Sequence, residues 1–309
     1  MSKFLILFFF ILSTIYSFAQ TTDLPKIEKF YLDKTDSSSY CYTIFYPNKL
    51  PWLGYMMLMP GFGESAEKVM QQTDLPIKLA QNQILTVIPT FQDGVLSLGT
   101  DSLSQLALAT IIKDVVTKNK LEGQKYFVGG FSIGGSCAIQ YAENASTKPS
   151  AVFAIDPPLD FERFYNSAKR DIRLSKEKEA SQENIYMIAR LEKETGGTPS
   201  THLNRYYQLS PYSFSDTTQN AIKKLINTPL RIYTEPDVSW WLKERNADLS
   251  SMNATTCSAM INELTRLGNQ KAELIITHNK GYRKPDQKRH PHSWSIVDND
   301  ELINWLLKQ

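Results

Sequence analysis

Apolar and polar positions along the chain change period in a way that predicts strands and helices in alternation. Two short alternating stretches at 29–32 and 40–46 flank a Ser-rich turn and predict a β-hairpin. The apolar run at 53–59 predicts a strand buried on both faces, stopped by Pro60 and Gly61. A helical pattern at 66–81 precedes a strand at 84–88. Asp101 or Ser102 then caps a periodic helix carrying Leu106, Ala109, Ile112 and Val116. A strand at 126–129, a helix at 133–143 and a strand at 151–155 follow. Alternation at this pitch predicts a parallel sheet covered by helices on both faces.

From 157 to 228 the alternation pauses. The segment 167–191 is charged and helical in composition, Gly196, Gly197 and Pro199 interrupt it, and a short helix at 219–226 leads back. The sheet resumes with a strand at 230–233, a helix at 252–267, a strand at 272–277 and a closing helix at 299–307 that Asp298 can cap. The expected architecture is α/β: one domain at 20–309 built on a mostly parallel, doubly wound sheet. It begins with an antiparallel hairpin and carries a helical cap inserted at about 157–228.

Composition agrees with one large globular unit. Of 309 residues, 42% are hydrophobic and 21% charged, enough to bury a sizeable core. The 34 Lys plus Arg against 32 Asp plus Glu leave a net charge of +2, which excludes nucleic acid or an anionic membrane as the main partner. Part of the apolar total belongs to the amino end. A positive start at Lys3, an apolar run over 4–15, and small residues Ser17 and Ala19 ahead of Gln20 read as a signal peptide over 1–19. The run is too short to span a bilayer, and no Cys follows the expected cut to carry lipid, so a secreted or periplasmic chain without a stable membrane anchor is expected. Three cysteines, Cys41, Cys137 and Cys257, cannot supply a disulfide framework and read as small buried hydrophobes, with one pairing open.

The chemistry concentrates in the segment 127–138, FVGGFSIGGSCA. Gly130, Ser132 and Gly134 form G-x-S-x-G between a predicted strand and a predicted helix, the setting a nucleophile elbow requires. The glycines permit the sharp turn, and the helix N-terminus aims the Ile133 N–H at developing negative charge.

With its flanking strand order, this segment resembles an α/β-hydrolase-fold serine hydrolase, esterase- or lipase-like, over nearly all of the mature chain. The resemblance implies a second oxyanion donor in the loop Pro60, Gly61, Phe62, Gly63, Glu64, Ser65, namely the Phe62 N–H paired with that of Ile133. It implies an acid after the strand that follows the cap, which points to Asp237, with Glu235 and Asp156 as alternatives. It places the base in the loop before the closing helix, hence His292, with His290 second; His202 precedes the acid and His278 ends a strand. A His-x-His metal pair lacks a third local ligand, and no cofactor is expected.

The implied activity is hydrolysis of a small or medium carboxylic ester, including one borne by a saccharide, through Ser132, Asp237 and His292 and an acyl-enzyme. A serine peptidase of the prolyl-peptidase type and a non-catalytic binding protein of the same fold are the alternatives. Tyr206, Tyr207, Tyr212, Trp240 and Trp241 either line an acyl pocket or pack the cap. Lys280, Arg283, Lys284, Lys288 and Arg289, set against Asp286, either meet an anionic or sugar-rich substrate or form a solvated loop.

Overall fold

The apolar runs become the central strands of an eight-stranded sheet in a computed structural model that describes residues 24–309 apart from 34, 36–39, 92 and 175–177. The expected signal peptide at 1–19 lies outside the described residues. Strands β1 (Lys26–Tyr31), β2 (Cys41–Tyr46), β3 (Gly54–Met59), β4 (Ile84–Thr90), β5 (Tyr126–Phe131), β6 (Ala151–Ile155), β7 (Leu230–Thr234) and β8 (Ala272–Ile276) lie in the order β1-β2-β4-β3-β5-β6-β7-β8. β2 runs antiparallel to β1 and β4, and all later pairings are parallel. Every residue of β3, β5, β6 and β7 is buried, as continuous apolar strands with covered faces should be.

One face packs on α3 (Ser102–Asn119), α4 (Ile133–Asn144) and α9 (Asn253–Arg266), the other on α1 (Ala66–Gln72), α2 (Leu75–Gln81) and α10 (Asn299–Leu307). Asp101 caps α3 by accepting from the Ser104 N–H, and Asp298 caps α10 by accepting from Asp300 and Glu301. The single helix predicted over 66–81 is two. Thr73 adopts an extended conformation, and Pro76 restarts the helix within its first turn, where its missing N–H costs nothing. The helix predicted at 219–226 reduces to a 3-10 turn over Ile222–Leu225.

Between β6 and β7 lie α5 (Phe161–Leu174), α6 (Lys178–Thr195) and α7 (Pro199–Leu209). Their apolar residues, including Phe161, Tyr165, Leu191 and Tyr206, form a separate cluster closed against Ile133. The inserted helices therefore sit over the turn that follows β5. Past β7 come two elements that the hydrophobic pattern does not show: α8 (Val238–Arg245), with no fully buried residue, and a ribbon of β9 (Tyr282–Arg283) and β10 (Lys288–Arg289). Cys41, Cys137 and Cys257 are buried and unpaired. No helix among the described residues is long and apolar enough to cross a membrane.

Candidate active site

β5 ends at Phe131 and α4 begins at Ile133, leaving Ser132 alone on the turn with φ +53° and ψ −126°. That conformation costs a residue with a Cβ on the order of 1–3 kcal/mol and persists only where its surroundings over-determine it. Two constraints do so here. The Ser132 N–H donates to the Ile155 carbonyl at 2.8 Å, extending the β5–β6 ladder. On either side, the glycines let backbone come into contact: a Cβ at Gly134 would lie 2.3 Å from the Pro60 oxygen, and one at Gly130 would lie 2.6 Å from the Met59 oxygen. The turn after β3 and the turn after β5 are thus pressed together.

Phe131 and Ile155 are register partners, so the next residues, Ser132 and Asp156, emerge side by side at the sheet's C-terminal edge. Asp156 is buried and also left-handed, at φ +46°. Its Oδ1 accepts from the Thr234 hydroxyl at 2.8 Å, and its Oδ2 lies 2.6 Å from His292 Nδ1. The Asn253 amide donates to the Asp156 carbonyl at 2.8 Å, holding its backbone as well. The imidazole rests on Phe131, ring centroids 4.6 Å apart. With Nδ1 engaged by the carboxylate, Nε2 is the nitrogen left to serve a hydroxyl.

This geometry corrects the expected acid. Asp237 does not reach His292: its carboxylate accepts from the Trp240 N–H at 3.0 Å as the N-cap of α8 and pairs with Arg289 at 2.7 Å. It also lies beyond β7, two strands from Ser132, whereas Asp156 is one strand away. Glu235 is likewise occupied. It accepts from the backbone N–H groups of Lys280 and Gly281 at 2.9 and 3.2 Å and pairs with Arg289 at 2.6 Å, fastening the start of the loop that carries His292.

The other histidines are separated from this pair by their surroundings. His290 is buried with its ring 4.7 Å from Trp240 and 5.8 Å from Trp241, and its Nδ1 has no partner among the described residues. Burial, followed by the charge of Arg283, pushes its pKa down to about 2, so it stays neutral. His202 and His278 are exposed; His202 lies at a kink in α7, with Nδ1 2.9 Å from the Thr201 hydroxyl.

Phe62 and Ile133, the expected oxyanion donors, sit on the two turns that Gly134 brings together, and neither N–H has an acceptor among the described residues. Glu64, to which the sequence reading assigns no role, ties this loop to the histidine loop. One of its carboxylate oxygens accepts from the Gly61 N–H at 2.9 Å and from Trp294 Nε1 at 3.0 Å. Trp294 is buried two residues past His292 and packs on Phe131 at 5.3 Å. Its signal in sequence is only a carboxylate inside a Gly-rich loop, and nothing local names its partner 230 positions on. Glu64→Ala leaves two buried donors unpaired. We expect it to lower stability by about 1–3 kcal/mol and kcat by about 10- to 100-fold, with Glu64→Gln recovering most of both. Thermal melts and ester turnover check this, and equal loss in the two variants would remove the positioning role.

Ser132, Asp156 and His292 line one cavity of about 270 Å³, walled in part by Phe164, Trp241 and Pro236. Of the aromatics expected there, Trp241 lines it, while Tyr206 and Tyr212 are buried in apolar clusters; Tyr206 packs edge-on against Tyr165 at 5.9 Å. Among the described residues, no group of three His, Cys, Asp or Glu side chains is placed to hold a metal ion.

No family model and no curated sequence matches the chain. Solved structures do. An S-formylglutathione hydrolase from Agrobacterium tumefaciens superimposes with a TM-score of 0.58 at 12% identity, over 91% of this chain and 94% of its own. A soluble variant of monoglyceride lipase from Saccharomyces cerevisiae gives 0.54 at 15% identity, over 95% and 97%. The chain has the α/β-hydrolase fold. Acylaminoacyl peptidase from Pyrococcus horikoshii gives 0.55 at 12% identity, covering 91% of this chain, which spans only 40% of that enzyme. In this fold the candidate residues follow strand ends, Ser132 after β5, Asp156 after β6 and His292 in the loop between β8 and α10, at the sheet edge where open α/β sheets place their ligands.

Proposed function

We propose that the protein is a serine hydrolase that cleaves a carboxylic ester through Ser132, His292 and Asp156. The observation that carries this reading is the 2.6 Å pair of His292 Nδ1 and Asp156, set in one cavity with a serine held at φ +53°. His292 Nε2 takes the Ser132 proton as Oγ attacks the substrate carbonyl carbon. The resulting tetrahedral oxyanion accepts from the Phe62 and Ile133 N–H groups, which need no reorganisation because the turn geometry already fixes them. His292 then returns the proton to the departing alcohol, and water, deprotonated by the same imidazole, releases the acid from Ser132. Asp156 keeps the proton of neutral His292 on Nδ1 and stabilises the imidazolium when it forms.

A fluorophosphonate probe tests the nucleophile. Wild-type protein is expected to label at one site, and Ser132→Ala and His292→Ala to lose labelling by at least about 10³-fold in rate. Folded wild-type protein that does not label would sink the proposal. Turnover of 4-nitrophenyl esters set against aminoacyl anilides then separates ester from peptide chemistry, the alternative that the overlap with acylaminoacyl peptidase keeps in view.

A further inference from the structure

The cavity at Ser132 also carries Arg245, from the last turn of α8, and Arg283, from β9. The two elements that the hydrophobic pattern does not announce therefore each deliver a guanidinium to the candidate active site. Neither pairs with a carboxylate within 4 Å among the described residues, whereas Arg170, Arg190, Arg231 and Arg289 all do. Arg283 Nη2 reaches the His292 carbonyl at 3.4 Å, which sets its guanidinium beside the histidine. Burial, and after it the Arg245 charge, hold the Arg283 guanidinium below its usual value, while Glu64, Glu183 and Asp286 act in the opposite sense without forming an ion pair with it.

Among the described residues, the acids on the lining form no ion pair with either arginine. Asp156 is engaged by His292 and Thr234, Glu235 by Arg289 and two backbone N–H groups, and Asp171 by the Ser251 hydroxyl at 3.0 Å. Glu183, exposed on α6, is the remaining carboxylate and stands off from both arginines by more than the ion-pair distance. Two guanidiniums on the wall of one cavity that opens on a nucleophile, neither ion-paired among the described residues, are complementary to an anion that arrives with the substrate. Asp171 and Glu183 nearby favour a monoanion over a dianion such as a phosphate monoester.

Building on the ester-hydrolase reading, we infer that the preferred substrate is an ester carrying a free carboxylate, which Arg245 and Arg283 clamp while Ser132 attacks the ester carbonyl. The carboxylate takes no part in bond making. It fixes the substrate's register in the cavity and lowers KM more than it changes kcat.

The test uses two ester pairs on the full-length protein. 4-Nitrophenyl butyrate is compared with the mono-4-nitrophenyl ester of glutaric acid, which puts the charge on the acyl side. Phenyl acetate is compared with 4-acetoxybenzoate, which puts it on the leaving group. In at least one pair the charged member should have about tenfold higher kcat/KM. Arg245→Gln and Arg283→Gln should each reduce that charged-to-neutral ratio by about tenfold through KM, while Lys243→Gln on the outer surface of α8 leaves it unaltered. Free glutarate should slow fluorophosphonate labelling of Ser132 in wild type and not in either arginine variant, a readout that does not need turnover. Equal kcat/KM within both pairs, or a ratio untouched by both arginine substitutions, would overturn the clamp while leaving the hydrolase intact. Absence of labelling and of turnover on all four esters removes the hydrolase reading and the clamp with it.

Discussion

Asp156→Asn should lower kcat about 10⁴-fold in a folded protein, while Asp237→Asn stays within about threefold of wild type. One proton decides the difference. As a general base His292 needs a free Nε2, so its single neutral-state proton must sit on Nδ1, where Asp156 Oδ2 accepts it at 2.6 Å. An asparagine there can offer its amide N–H to Nδ1 and leave the proton on Nε2, where it blocks the base; it also provides no charge to balance the imidazolium. Asp237 touches neither His292 nor the imidazole's path. Asparagine caps helices as well as aspartate does, so α8 keeps its N-cap, and Arg289 keeps Glu235. Ester turnover with circular dichroism on both variants decides the matter, and the reverse ranking would return the acid to Asp237.

Gly134→Ala should cost about 3 kcal/mol in stability and about 10²-fold or more in kcat. The added methyl would meet the Met59 and Pro60 carbonyl oxygens at 2.4 and 2.3 Å, and both are backbone, so no flexible side chain can give way. The β3 turn must therefore retreat from α4, breaking close packing and moving the Phe62 N–H away from that of Ile133. For a domain of this size the melting temperature should fall by roughly 6–12 °C. Unchanged melting with a rate within threefold of wild type would mean that the two turns are not held together as described.

Both expectations rest on contacts that differ greatly in how far they were visible along the chain. The elbow is local: Gly130, Ser132 and Gly134 lie within five residues, bracketed by a strand and a helix, and sterics alone make that spacing a sharp turn. The sheet strands were equally legible, because burial on both faces demands continuous apolar runs at 54–59, 126–131 and 151–155. α8 was not, since no residue of it is fully buried and so no periodicity records it. Asp237 and Asp156 each follow a strand and stand beside a proline, and both fall between Ser132 and His292 in the chain, so neither signal separates them. What separates them is Arg289, whose ion pair with Asp237 depends on the path of the ribbon rather than on any nearby residue.

By itself, then, the sequence determined the alternating α/β architecture, the turn that presents Ser132 and the loop that carries His292, because those follow from residues close together in the chain. Only the tertiary structure decided which carboxylate meets the histidine, that Glu64 joins the two loops, and that Arg245 and Arg283 share a cavity with the serine. The physical reason is reach. A carboxylate side chain spans a few ångströms, so its partner is chosen by strand order and register, here Phe131 opposite Ile155, and those are set by the packing of the whole sheet.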